Sequence, residues 1–364
     1  MSQQLPDISI AQQATQLLRL RLPDTWKLEL IEQPDLRVLI GSQQGQGQLL
    51  TEVHRRFKPG DMDALMGRLA RRLRTAGGTP ILLISDYLSP RGQEALIAEN
   101  ISFIDLRGNV RIAMDYPLMF VELNGEESLP AGASPASLRG ATAGRLIRFL
   151  VDVRPPYGVV EIEAATTMNR GYVSRLLDAA SDEGLIDRQK RGPVVEVDWA
   201  GLIRRRAREV SLMKTNTAFM FVARATLGTF VEQLRTLPIR EQLVMTGPVA
   251  AYRLNAVAAA ASLALYTNEQ SERVREALDL IPVEEGANIA LLRPPNSLPF
   301  ELTEIDDGLR YAAASQVAID CLSGPARMPA EGEAVIEWMA EDENRWRSPN
   351  IADYLQRRGR DPDA

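Results

Sequence analysis

The stretch from Gly144 to Trp199 constrains this chain more tightly than any other part of it, because three helical patterns and a hairpin follow each other with almost no spare residues. It reads GRLIRFLVDVRPPYGVVEIEAATTMNRGYVSRLLDAASDEGLIDRQKRGPVVEVDW. Leu146, Ile147, Leu150 and Val151 recur at helical spacing, which predicts a helix over Gly144–Val153 with those residues inward. Pro155, Pro156, Tyr157 and Gly158 stop it. A second helix is predicted over Val160–Thr167. Asn169 is a good N-cap for a third, Arg170–Glu183. Val173, Leu176, Leu177 and Ala180 form its apolar stripe, so Gly171, Ser174, Arg175 and Asp178 face away from the core. Gly184 stands where a C-cap glycine belongs. Leu185–Gln189 and Val194–Asp198 then read as two strands joined by the basic turn Lys190-Arg191-Gly192-Pro193.

This segment closely resembles the winged helix-turn-helix family of bacterial regulators, with Asn169–Ile186 matching the recognition helix and the lead into the wing. The resemblance implies binding to double-stranded DNA. A helix fits the major groove and offers its N-terminal residues to base edges. Asn169, Arg170, Tyr172, Ser174 and Arg175 are therefore the expected readers. Arg188, Lys190 and Arg191 on the wing are expected to hold phosphates or a minor groove. Arg204, Arg205, Arg206 and Arg208 on the following helix are expected to add phosphate contacts. The competing reading is a module for protein contacts whose arginines are a solvated face. The family commonly binds as dimers, so a homodimer is expected.

Charge bears on this choice. The whole chain carries a net charge of −6, unlike a general nucleic-acid binder. Between Ala131 and Lys214, however, 14 Lys and Arg face 10 Asp and Glu, a local excess of positive charge. The local field decides phosphate attraction, so a basic module in an acidic chain remains competent. The single cysteine, Cys321, excludes an internal disulfide, and the single histidine, His54, excludes a Cys/His zinc cluster. No signal peptide or membrane-spanning run is visible. The expectation is a cytoplasmic protein with no membrane partner.

Residues 1–125 alternate strand and helix patterns. Helices are expected at Ser9–Leu20, Met62–Thr75 and Pro90–Glu99. Strands are expected at Trp26–Ile31, Leu36–Ile40, Gln48–Val53, Pro80–Ser85, Ile101–Asp105, Val110–Met114 and Leu118–Leu123. The order αβββαβ, followed by more αβ, implies a mixed α/β domain. Within it, Pro34-Asp35 and Glu52-Val53-His54 resemble the acid pattern of PD-(D/E)xK nucleases. Residues two apart on a strand share a face. In such nucleases the two acids hold magnesium and a lysine steadies the attacking water. Here His54 places an imidazole where the family has a fixed ammonium charge. Gln12 and Gln13 stand where many members carry a glutamate. The resemblance implies a nuclease-like fold whose site is a remnant, Asp35, Glu52 and His54, with no cofactor. The alternative is a metal-dependent DNA nuclease, which would need magnesium. Asp105–Asn109 reads as a turn between strands.

Residues 126–143 read as a linker, and 346–364 as a charged, frayed tail. Residues 215–345 form a third region. Helices are expected there at Leu227–Arg235, Val249–Ala261 and near Glu331–Met339, and strands at Gln242–Met245 and Ile289–Leu292. The full order, 1–125, 144–214 and 215–345, resembles the AbiEi-like family, the DNA-binding antitoxins of type IV toxin–antitoxin systems and their relatives. Ser85–Pro90, Ile101–Asp105 with Gly108-Asn109-Val110, Thr246–Ala251, Gln316–Leu322 and Glu331–Met339 carry that resemblance. It implies a C-terminal nucleotidyltransferase-like α/β domain. That domain is expected to be degenerate, because Pro248 follows Gly247, Leu263–Asn268 has no acid pair and Asp306-Asp307 are adjacent. Family antitoxins often carry the winged helix at the N-terminus; this chain carries it in the middle. The fold expected is thus α/β plus α+β in several domains. The function expected is a DNA-binding transcriptional regulator, as an autorepressor with a cognate toxin as partner if the family reading holds.

Overall fold

The computed structural model describes residues 4–32, 35–42, 45–55, 57–76, 78–125, 140–188, 192–256 and 259–359. The chain is mixed α/β and divides into two compact units, residues 1–135 with 178–187, and residues 136–177 with 188–364.

The first unit is built on a sheet whose strands lie in chain order. The elements are α1 (Gln4–Arg19), β1 (Lys27–Ile31), β2 (Arg37–Ser42), β3 (Gly45–Val53), α2 (Met62–Ala76), β4 (Ile81–Ser85), α3 (Pro90–Ala98), β5 (Ser102–Asp105), β6 (Val110–Asp115) and β7 (Leu118–Leu123). β1, β2 and β3 pair antiparallel, β3, β4 and β5 parallel, and β5, β6 and β7 antiparallel. The parallel steps coincide with α2 and α3, because a parallel neighbour requires a crossover. The helices cover both faces. Leu82 and Ile84 pack with Ile10, Ala14 and Leu18 of α1, while Ile81 and Leu83 pack with Leu65 and Leu69 of α2 and with Leu96 of α3. Burial on both faces explains why residues 81–84 are an unbroken apolar run. Asp105 closes the turn after β5. Its carboxylate accepts from the amides of Leu88, Arg107 and Asn109, and Gly108 supplies the positive φ, +91°.

The second unit opens with α4 (Ala141–Asp152), α5 (Val159–Thr166) and α6 (Arg170–Asp182) as far as Leu177. The end of α6 and the start of β8 (Ile186–Arg188) are grouped with the first unit; from Arg188 the second unit resumes with β9 (Val194–Val197), which pairs with β8, and α7 (Trp199–Glu209). Of the expected inward residues, Ala180 is half-buried and Leu146, Ile147, Leu150, Val151, Val173, Leu176 and Leu177 are buried. Each such side chain contributes about 1.5–3 kcal/mol of transfer free energy. The helix begins three residues earlier than the sequence pattern indicates, and Ala143 is fully buried.

After α8 (Leu212–Thr215) come β10 (Thr217–Ala223), α9 (Leu227–Leu234), β11 (Val244–Thr246), α10 (Gly247–Leu254), β12 (Leu263–Tyr266), α11 (Ser271–Ala277), β13 (Leu280–Pro282), β14 (Ile289–Arg293), β15 (Glu304–Asp306), β16 (Leu309–Tyr311), α12 (Ala314–Leu322), α13 (Met328–Glu341) and α14 (Ile351–Arg358). The sheet order is β13-β10-β14-β12-β11-β16-β15. The expected helix over Val249–Ala261 stops at Leu254. Asn255 turns extended there and its side chain donates to the Ala334 carbonyl at 2.9 Å.

The tail is also corrected. Residues 346–359 are ordered by two aromatic anchors rather than frayed. Trp346 packs edge-on against Trp199, and Tyr354 against Phe149, at centroid separations of 5.1 and 5.3 Å. Asn350 caps α14 by accepting from Asp353. Arg347 donates to the carbonyls of Leu150 and Val153, which α4 leaves without helical partners at its C-terminus. Residues 360–364, and residues 126–139 of the expected linker, lie outside the described residues. Among the described residues no helix is long and apolar enough to cross a membrane.

Candidate nucleic-acid interface

The turn between α5 and α6 sets the site. Thr167 takes a left-handed conformation, φ +56°, which ends α5. Met168 is buried and holds the turn in the core. Asn169 then accepts from the amides of Gly171 and Tyr172, at 3.0 and 3.3 Å. Its carbonyl oxygen is thus committed to capping, and its amide NH2 is the part that faces outward. This cap fixes the first turn of α6, on which Arg170, Tyr172, Ser174 and Arg175 ride.

Those four side chains lie on the outward side of the helix, as the stripe of Val173, Leu176 and Leu177 requires. Arg170 and Arg175 are exposed, and Tyr172 and Ser174 half-buried. Arg170 is engaged with Glu163 of α5, its Nε and Nη2 at 2.8 and 2.7 Å from one carboxylate oxygen. The pair is exposed, so its net worth is small and a stronger anion can displace it. Arg175 lies over the Tyr172 ring at 5.9 Å, a contact that leaves its hydrogen-bonding edge open.

The expected wing contacts fare differently. Arg188 is only 7% exposed and does not stand on the surface. Along β8, Ile186 and Arg188 are buried and Asp187 between them is half-buried, the two-residue period of a strand. Lys190 and Arg191 lie outside the described residues.

The arginines of α7 are a correction. Arg204 makes a two-pronged contact with Glu333 of α13, its closest approach 2.6 Å. Arg205 pairs with Glu209 at 2.7 Å. Arg206 is only 8% exposed. α7 packs on α4 and α12 and joins residues 141–209 to the sheet that follows.

Beneath this surface lies a polar network that the sequence reading missed. Arg148 of α4 is buried and bonded to Asp152 at 2.9 Å and to Gln316 of α12 at 2.8 Å. Gln316 donates to Asp320, which also accepts from Thr246 and Tyr266 at 2.6 and 3.0 Å. Burial pushes the Asp320 carboxyl up to about 6 against the pull of these three donors and of Arg148. The available signal was an Arg and an Asp four apart on a helix otherwise apolar around them, which ordinarily marks a solvated face.

The residues expected as a nuclease remnant belong to the first unit. Glu52 on β3 and Asp35 before β2 both face Arg72 of α2. Arg72 Nη1 is 2.6 Å from Glu52 and its Nε 3.5 Å from Asp35. Arg68 adds a second contact to Glu52 at 3.4 Å. His54 turns to Asp61, 3.8 Å away, and its ring meets Phe57 edge-on. Gln12 reaches Glu32, and Gln13 reaches Ser9 of its own helix. A magnesium ion needs carboxylate oxygens free to ligate it. Here a guanidinium occupies the place between the two acids, so these residues as arranged do not fit the metal. In the sheet domain, α10 starts at Gly247 with φ +68°. β12 carries only Leu, Ala, Leu and Tyr, while Asp306 and Asp307 pair with Arg253 and Arg235 respectively.

No protein-family model matches this chain, and neither a curated protein nor a solved structure matches it.

Proposed function

We propose that this chain is a transcriptional regulator that binds double-stranded DNA, laying α6 in the major groove. One observation carries the reading: a capped helix after a three-residue turn, presenting Arg170, Tyr172, Ser174 and Arg175 on one outward side. The Asn169 amide and the two arginines supply donors suited to base edges and phosphates. The second reading, a module for protein contacts, is favoured by the Arg170–Glu163 pair, which quiets the surface in the free protein. The metal-dependent nuclease reading gains no support, because Arg72 bridges its acids.

The same proposal includes binding as a homodimer on a site of dyad symmetry. An autorepressing, antitoxin-like role with a toxin as partner rests on the resemblance to the AbiEi-like family alone. Selection of bound duplexes from a randomised library tests the regulator. Enrichment of one motif with inverted half-sites about one helical turn apart is the expected result. Recovery of unenriched sequence from repeated rounds would overturn sequence-specific regulation.

A further inference from the structure

Arg206 makes no ion pair among the described residues, and Glu209 acts on it only from further off. Its side chain is more than nine-tenths buried, its Nη1 has no hydrogen-bond partner, and burial lowers its hold on the proton. The carboxylate that acts on it most, Glu209, is itself held by Arg205 at 2.7 Å. Buried guanidinium groups are ordinarily paired, since an isolated buried charge is costly.

The unpaired group borders a cavity of about 60 Å³ within the second unit. Its walls come from α4 and α7 on one side, and on the other from α8, α12 and the Pro294–Pro299 segment. A volume of that size holds on the order of four or five waters, which is the heavy-atom count of phosphate or sulfate. Ser211 and Thr215 bring hydroxyl groups, and Arg148 a second guanidinium. The other charge at the cavity, Asp320, already accepts hydrogen bonds from Thr246, Tyr266 and Gln316. Arg148 is matched by Asp152 at 2.9 Å. Arg206 is then the guanidinium at the cavity that has no ion pair among the described residues. Gly144 makes the space: a Cβ there would stand 2.8 Å from Arg206 Nη2 and 3.3 Å from Leu298.

We propose that this cavity is a binding site for a small tetrahedral oxyanion, free or as the end of a small phosphoester, with Arg206 as its principal ligand. An anion there neutralises the buried guanidinium and joins α4 and α7 to α8 and the proline segment. Tyr172 of α6 is also an electrostatic neighbour of Arg206. Control of DNA affinity by the anion follows if the regulator reading holds. The site itself does not depend on that reading.

Thermal melting of the full chain, with phosphate exchanged for chloride at constant ionic strength, tests the site without DNA. Phosphate also stabilises proteins generally by exclusion from their surface, without saturating. The wild type is expected to show a saturable rise in Tm at millimolar phosphate. Arg206→Met is expected to melt at least as high without phosphate and to keep only the unsaturable rise. A saturable rise of equal size in both proteins, or in neither, overturns the proposal. Equilibrium dialysis of the wild type against labelled phosphate gives an answer if the variant fails to fold. One bound phosphate per chain supports the site, and none at millimolar phosphate sinks it. Competition by glycerol phosphate then separates the two sources: equal potency points to an esterified ligand, and no competition to the free anion.

Discussion

Arg148 and Gln316 are joined by a hydrogen bond of 2.8 Å between α4 and α12, in a place neither touches solvent to any extent. α4 is therefore tied to α12, in the part of the unit that carries the second seven-stranded sheet. Arg204–Glu333 and the Arg347 contacts to the end of α4 reinforce the same connection.

Breaking that lock has a defined cost. Arg148→Met leaves Asp152 buried without its guanidinium, and removing one partner of a buried pair costs about 3–5 kcal/mol. The double variant Arg148→Met/Asp152→Leu is expected to lose clearly less than the single, because no charge is stranded. Urea unfolding of both variants measures this. A double variant as unstable as the sum of its singles would show that the pair does not act as a unit.

Asp320 makes stability depend on pH with an unusual sign. Its carboxyl titrates near 6 in the fold against an ordinary 3.8. Between those values the folded chain binds more protons than the unfolded chain, so this group's contribution falls as pH rises through the window and is level above it. Asp320→Asn keeps one acceptor oxygen, for Thr246 or for Tyr266, puts an NH2 in place of the other oxygen and removes the titration. Urea midpoints across the window are expected to show a shallower fall in the variant. Parallel curves would refute the assignment.

Much of this architecture was readable from the sequence, and the reasons for the exceptions are physical. Periodicity located β7 to the residue and α4, α5 and α6 to within about three residues, because each has one buried stripe. The two-sided burial of β4 showed in its unbroken apolar run. At the candidate interface the Asn169 cap was readable, since capping is local. Pairings distant in sequence were not. Arg204 meets Glu333 across 129 residues, and a run of three arginines reads as a solvated face until its partners are known. Arg72 reads the same way, although it sits between Asp35 and Glu52. α14 was missed because its helix is short and charged; Trp346 and Tyr354 hold it through contacts made far back in the chain.

The Arg72 bridge gives a test of the acid pair. Wild-type protein is expected to melt at the same temperature with or without magnesium, since the carboxylates are already matched. Arg72→Ala opens the place between them, leaving Arg68 on Glu52 and Arg37 on Asp35, and magnesium is then expected to raise its Tm saturably. A magnesium-dependent rise in the wild type would show that the bridge yields to metal, and would revive the nuclease alternative.

Glu163 restrains Arg170. Glu163→Gln is expected to raise affinity for DNA a few-fold, by releasing the guanidinium and by removing a negative charge near phosphate. Fluorescence anisotropy with a labelled duplex measures the change. Weaker binding in the variant would mean that the pair positions Arg170 for its contact instead of withholding it.

The central claim is that α6 reads DNA, and the most direct measurement compares wild type with Arg170→Ala/Arg175→Ala. Each would be titrated against the duplex upstream of its own gene and a random duplex, over a range of salt and without magnesium. Preference for the upstream duplex and a steep fall in affinity with salt are the expected results. Loss of one base-edge contact costs about 1–3 kcal/mol, so the double variant should lose the preference and part of the salt slope. Equal affinity of wild type and double variant for both duplexes at every salt concentration would contradict it.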